Sequence, residues 1–111
     1  MNKTILMGRL TKDPEVKYLQ DENSTAMARY TLAVDRRYRK DGKAETDFIS
    51  CVLWKGIAEN TVEYCKKGDL VGIKGRIQSR NIEIDEETKK QVVEVVAEKV
   101  TFLSSRNKET D

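Results

Sequence analysis

The chain has 111 residues, of which 38% are apolar and 36% charged, so we expect one domain with a small core and a densely charged surface. Its net charge of +2 is too small to indicate a nucleic-acid partner by itself, and no apolar run approaches the length of a membrane span. Because histidine is missing, neither a Ser-His-Asp nor a Cys-His catalytic arrangement is possible, and two cysteines alone cannot form a zinc site. With no signal peptide in view, we expect a cytoplasmic binding protein rather than an enzyme, without metal or cofactor.

Two strands are predicted in the first third of the chain. The segment Thr4–Leu10 is apolar on both faces, and Gly8 within it indicates either a bulge or the close approach of another backbone, as at a barrel corner. Pro14 ends that strand, and residues 15–18 form a short extension. The second strand runs over Thr25–Asp35, where alternation predicts a core face made of Ala26, Ala28, Tyr30, Leu32 and Val34.

A basic connection follows the second strand. It contains the turn pair Asp41-Gly42 and opens with a run of cations around one aromatic residue, namely Arg36, Arg37, Tyr38, Arg39 and Lys40. A solvated loop would explain most runs of this kind. The ring of Tyr38 inside the run favours a binding role here, because rings and cations together suit an unpaired nucleic-acid strand.

The third strand, Thr46–Lys55, has two different faces. Ile49, Cys51 and Leu53 form an ordinary core face. The opposite face carries a ring near each end, Phe48 and Trp54, separated by roughly 20 Å along the strand. That spacing is long for one compact core and suits a surface across which a ligand lies.

The remaining elements are a short helix and two strands. In chain order we predict a helix over Gly56–Lys67 that is capped by Gly68, a strand over Asp69–Arg80, a hairpin tip over Asn81–Lys90 and a last strand over Gln91–Leu103. Lys66 and Lys67 would suit the negative end of the helix dipole. Arg76 and Arg80 share one face of their strand, where phosphate contact and plain solvation are both possible.

This order of elements is typical of the OB-fold. In that fold a single short helix lies between the third and fourth of five strands, which close into a Greek-key barrel with long hairpin loops. We therefore predict an all-β OB-fold domain over residues 1–103, with a short, polar, frayed end over residues 104–111. The fold alone does not fix a function.

The sequence also resembles the bacterial single-stranded DNA-binding proteins over nearly its whole length. The stretches that carry the resemblance are short, but their order and spacing are specific: Asn2-Lys3, residues 5–11, 13–18, 31–34 and 46–48, then Trp54, residues 58–60, 66–68, 75–76 and 94–97. The resemblance implies a homotetramer, a dimer of dimers. It also implies that the protein wraps single-stranded DNA without sequence specificity and protects it during replication, recombination and repair.

Carried over position by position, the stacking aromatic residues of the family fall at Tyr38, Phe48 and Trp54. A fourth falls at about Ile82, which is aliphatic here, in a hairpin that is acidic at Glu83, Asp85, Glu86 and Glu87. The long tail of the family, with its acidic tip, has no counterpart in the sequence. We expect either a trimmed chain or a short, tail-less member, and no recruitment of repair proteins through a tip.

The expected mechanism combines stacking on the three rings with neutralisation of phosphates. The cations expected to contact phosphate are Arg36, Arg37, Arg39, Lys55, Arg76 and Arg80. Two alternatives stay open at this point, an OB-fold that prefers RNA and an OB-fold used for protein interaction. A nuclease is the weakest alternative.

Overall fold

The computed structural model describes residues 1–37 and 41–105. Its elements are β1 (Thr4–Leu10), β2 (Val16–Tyr18), β3 (Ala26–Asp35), β4 (Thr46–Trp54), α1 (Lys55–Tyr64), β5 (Leu70–Glu83) and β6 (Lys89–Ser104). The predicted order of strands and helix is confirmed, with β2 as a short additional strand. In the described part of the chain, no helix combines the length and the apolar character needed to cross a membrane.

The strands form one sheet that curls back on itself. Their order is β1-β5-β6-β4-β3-β2, and β1 also pairs with β3 through Arg9–Ala33 and Leu10–Leu32. Five strands thus form a ring. The short β2 pairs with Ala26–Ala28, on the same edge of β3 that β1 uses further along. The pairs are antiparallel except β4–β6, which is parallel. This architecture is consistent with the predicted OB-fold.

The core lies inside the ring and matches the alternation in the sequence. Side chains from β3, β4 and β5 reach it, and Leu32, Leu53, Ile73 and Val71 are at most 1% exposed. Burial of each such side chain contributes about 1.5–3 kcal/mol. The helix α1 covers one end of the ring and adds Ala58 to the core.

Gly8 lies where β1 meets β3 to close the ring. A Cβ atom at this position would lie 2.4 Å from the carbonyl oxygen of Ala33 and 2.9 Å from Cγ of Leu32. No side chain fits there, so of the two alternatives indicated by the sequence the close backbone approach is confirmed.

The predicted end of the helix is wrong. The helix ends at Tyr64, and Cys65 already has extended backbone, so Lys66 and Lys67 lie beyond it. The Asp69 carboxylate accepts a hydrogen bond from the Lys66 amide at 2.8 Å and holds a turn there. Gly68, at φ +90°, donates its amide to the carbonyl of Leu10 at 2.8 Å, so it joins α1 to β1 instead of capping the helix.

The paired strands of the β5–β6 hairpin are longer than predicted, since β5 continues to Glu83 and β6 begins at Lys89. Ile82 pairs with Lys90, and Glu83 pairs with Lys89 as an opposite-charge couple. The loop is therefore short, and Asp85 closes it by accepting hydrogen bonds from the amides of Glu87 and Thr88 at 2.9 and 2.7 Å. At the other end β6 includes Ser104, while residues 106–111 of the predicted frayed end lie outside the described residues.

Candidate nucleic-acid interface

The strand register brings residues from four strands onto one continuous surface. Directly paired residues point to the same side of a sheet. Met27 is paired with Trp54, Ala33 with Phe48, Val52 with Val96, and Val96 in turn with Arg76. We call this surface the outer face; its members are Met27, Arg29, Thr31, Ala33, Asp35, Thr46, Phe48, Ser50, Val52, Trp54, Arg76, Gln78, Arg80, Ile82, Lys90, Val92, Glu94 and Val96.

The rings on the outer face differ in exposure. Phe48 is 67% exposed, whereas Trp54 is half-buried at the junction of β4 with α1. Tyr38 lies outside the described residues. Of the two described rings, Phe48 is the more accessible to a stacking partner, and the indole of Trp54 offers only part of its surface.

Two valines in the middle of the outer face are buried. Val52 and Val96 are neighbours across the β4–β6 pair and are 0% and 6% exposed. Arg29 stands opposite Val52 in the register and Arg76 opposite Val96, so we attribute the cover to the aliphatic stems of these arginines. Val52 therefore offers no accessible surface between the two rings of β4.

A buried carboxylate lies next to the valines. Glu94 is 3% exposed, and its oxygens accept hydrogen bonds from Gln78 Nε2 and Arg80 Nε, both at 3.1 Å, and from Arg29 Nε at 3.5 Å. Burial alone would raise the pKa of Glu94. The Gln78 amide and the two guanidinium groups outweigh that effect and hold the pKa below its ordinary value.

The cations predicted to contact phosphate differ in their position and in their binding partners. Arg76 and Arg80 lie on the outer face, where Arg76 donates to Gln78 Oε1 at 3.3 Å. Arg36, just beyond β3, is bound by the carboxylates of Asp47 and Glu45. Lys55 is exposed and begins α1 directly after Trp54, with φ +58°.

Arg37 is exposed beside Arg36, and Arg39 lies outside the described residues. The phosphate-contact role of all six cations stays a prediction.

A groove of about 420 Å³ borders the outer face. On one side it is lined by outer-face residues, and on the other by the segment that joins β1 to β2 and by β2 itself. Its lining residues are Lys12, Asp13, Glu15, Lys17, Met27, Arg29, Tyr30, Thr31 and Ser50. Lys12, Lys17 and Arg29 were not among the predicted site residues. For Arg29 a signal was available, since alternation along β3 already put it opposite the core face.

The hairpin beyond Arg80 has a different chemical character. Ile82 continues the outer face and is half-buried, opposite Lys90. The turn that follows is acidic, and hydrogen bonds from the Glu87 and Thr88 amides hold the pKa of Asp85 below its ordinary value. Lys90 is paired with Ile82 and therefore shares its side of the sheet, so the cationic part of the outer face extends past Arg80 as far as this acidic turn.

The outer face presents an exposed phenyl ring, a partly exposed indole and three arginines, and it contains one buried carboxylate, Glu94. Rings can stack on unpaired bases and guanidinium groups can pair with phosphate. Within residues 1–37 and 41–105, no cluster of acidic or thiol side chains could hold a metal ion.

Comparison with known proteins gives one consistent result. The sequence model of the "Single-strand binding protein family" matches residues 1–103. A single-stranded DNA-binding protein 2 of Clostridium acetobutylicum is 54% identical over 103 residues, which are 93% of this chain and 77% of that relative. A single-stranded DNA-binding protein of Clostridium tetani is 51% identical over 110 residues, 99% of this chain and 75% of the relative. One from Bacillus cereus is 49% identical over 108 residues, 96% of this chain and 62% of the relative.

The match covers the helix and every described strand except the last residue of β6, and it includes the whole outer face. On these grounds the chain belongs to the single-strand binding protein family.

Proposed function

We propose that the outer face binds single-stranded DNA with little sequence preference and protects it during replication, recombination and repair in the cytoplasm. The observation that carries the proposal is the strand register, which puts Phe48 and Trp54 on one surface with Arg29, Arg76 and Arg80. Membership of the family supports the same ligand.

Base stacking supplies the first part of the binding. Phe48 at 67% exposure needs no rearrangement to receive a base, and the half-buried Trp54 receives one on its open side. Each stacked base contributes about 1–3 kcal/mol. Tyr38 adds a third ring by the family resemblance.

Phosphate neutralisation supplies the second part. Arg29, Arg76 and Arg80 flank the path between the rings, and each phosphate that a cation neutralises releases counterions from the strand. Lys12 and Lys17 extend the positive charge along the bordering groove, where Asp13 and Glu15 limit it.

Low sequence preference follows from these two interactions, since neither reads the hydrogen-bonding edges of the bases. Duplex DNA binds weakly, because its bases are already stacked and cannot reach Phe48 or Trp54. The protein acts by holding the strand and not by chemical conversion of it.

A homotetramer, built as a dimer of dimers, is the assembly we propose. An apolar patch away from the rings supports self-association: Ile5 is 79% and Met7 60% exposed, and Leu103 is 44% exposed. These side chains lie near one another. Met7 is paired with Gly72, and Leu103 covers Gly72, since its Cδ1 lies 3.7 Å from where a Cβ atom of residue 72 would be. Apolar side chains clustered in this way on a surface are typical of an interface. The mass in solution should be four times the 12.7 kDa of one chain; the mass of a single chain would contradict the assembly.

The test of function is an anisotropy titration of labelled oligothymidine at several salt concentrations. Three further probes share one base sequence: single-stranded DNA, single-stranded RNA and duplex DNA. We expect the tightest binding for single-stranded DNA, with affinity falling steeply as salt rises. Tighter binding of RNA would favour the RNA alternative. Salt-insensitive binding, or no binding, would favour the protein-interaction alternative.

A further inference from the structure

We propose that Glu94 is a positioning residue of the DNA-binding surface, which holds the guanidinium groups of Arg29 and Arg80 ready for the phosphodiester backbone. The inference rests on the proposed function, since it assigns a role to a residue within that surface.

The position of Glu94 is central. It lies on β6, between β5 and β4, and it is the buried carboxylate of the outer face. Arg80 and Gln78 approach from the neighbouring strand β5, and Arg29 approaches from β3, two strands away on the other side. One carboxylate on β6 therefore binds side chains from two other strands, β3 and β5.

The atoms used in these contacts leave the phosphate-binding edges open. Both arginines donate through Nε, at 3.1 Å from Arg80 and 3.5 Å from Arg29. A guanidinium has five N–H donors in a fixed fork, so the terminal Nη groups are left over. Arg29 Nη1 contacts only the weak acceptor Sδ of Met27, at 3.8 Å, and no described acceptor is bonded to the Nη atoms of Arg80.

The exposure of the two arginines agrees with this arrangement. Their side chains are 42% and 39% exposed, whereas the side chain of Glu94 is 3% exposed. Each guanidinium is thus anchored underneath and open to solvent above. A side chain ordered in advance loses less freedom when the ligand arrives.

The charge of Glu94 has the wrong sign for a surface that binds a polyanion. If the carboxylate acted only through its charge, its removal would strengthen DNA binding. If it positions the arginines, its removal weakens DNA binding although the surface becomes more positive. The two roles are therefore separated by the sign of the effect.

The test compares Glu94→Gln with Glu98→Gln, in the whole protein, by titration of oligothymidine at several salt concentrations. Glu98 is an exposed carboxylate four residues along the same strand, with no described hydrogen bond or ion pair, so its replacement removes the same charge without affecting the arginines. We expect about fivefold weaker binding for Glu94→Gln. Its salt slope should fall by about 1. For Glu98→Gln we expect wild-type affinity or slightly tighter binding.

Equal or tighter binding by a folded Glu94→Gln variant would overturn the proposal. Circular dichroism shows whether the Glu94→Gln variant is folded. If it is not, the same titration is made with Glu94→Asp, which keeps the buried charge but shortens the reach of the carboxylate toward Arg29. Weaker binding by Glu94→Asp with a smaller salt slope supports the positioning role, and wild-type behaviour overturns it. Failure of the wild type to bind oligothymidine would instead contradict the proposed function.

Discussion

Arg36 is bound by Asp47 through three hydrogen bonds, two from Nε at 3.1 and 3.2 Å and one from Nη2 at 2.9 Å. The pair lies at the end of the β3–β4 hairpin, next to the basic connection. Its hydrogen bonds hold the pKa of Asp47 below its ordinary value, so the carboxylate stays charged at neutral pH. Phosphate has to compete with this carboxylate for Arg36.

Replacement of Asp47 by Asn should therefore strengthen DNA binding. The substitution releases Arg36 from its main partner, although Glu45 still contacts it. We expect tighter binding of oligothymidine at low salt, with a salt slope larger by about 1. Affinity and slope equal to those of the wild type would exclude Arg36 as a phosphate contact.

Removal of the exposed ring should weaken binding without loss of stability. Phe48 is 67% exposed, so Phe48→Ala removes little buried surface and should leave the melting temperature nearly unchanged. The loss in binding free energy for oligothymidine should be about 1–3 kcal/mol. Tyr64→Ala is the matched control, because Tyr64 is also 67% exposed but lies on α1, off the outer face. Equal losses for the two variants would contradict stacking on Phe48.

The closure of the ring at Gly8 gives a prediction about stability. In Gly8→Ala the new methyl would lie 2.4 Å from the Ala33 carbonyl oxygen, so β1 and β3 must separate. We expect a loss of at least about 2 kcal/mol in the free energy of unfolding, measured by urea denaturation. Gly56→Ala is the control: it lies in α1 with open space around it, and alanine there should stabilise the helix by up to about 1 kcal/mol. Equal effects of the two substitutions would contradict the close contact.

The network around Glu94 predicts a particular sensitivity to acid. The pKa of Glu94 in the folded protein lies below its ordinary value of 4.5, so the unfolded chain binds a proton more readily. The stability from this group is fully present above the ordinary value, and it is lost as the pH falls through the lower folded value. Between pH 6 and about pH 3 the melting temperature of the wild type should fall further than that of Glu94→Gln. Equal decreases in the melting temperatures of the two proteins would show that ionisation of Glu94 does not contribute to stability.

Much of the fold could be predicted from local patterns. The core face of β3 and the core residues Cys51 and Leu53 of β4 alternate cleanly in the sequence. Gly8 indicated a bulge or a close backbone approach, and the structure shows the close approach. The end of α1 and the inner ends of β5 and β6 were placed wrongly. The strands extend to Glu83 and Lys89 because these charges pair across the hairpin, which is visible only once the register is known.

The candidate site could be predicted only in part, because it too depends on the strand register. Alternation placed Phe48 and Trp54 on one face of a strand, but a single strand cannot show which residues of other strands join it. Glu94, between Val93 and Val95, looks like a solvated charge in the sequence. Its burial follows from Arg29 and Arg80, which are 65 and 14 residues away along the chain.

The central claim is that bases of single-stranded DNA stack on the outer face, and the fluorescence of Trp54 tests it most directly. Trp54 is the single tryptophan of the chain, so its emission reports one place on that face. Titration with oligothymidine should quench the emission until the sites are full, and high salt should restore it as the strand dissociates. Unchanged emission at saturation, with binding verified by anisotropy, would contradict stacking at Trp54 and the binding surface proposed around it.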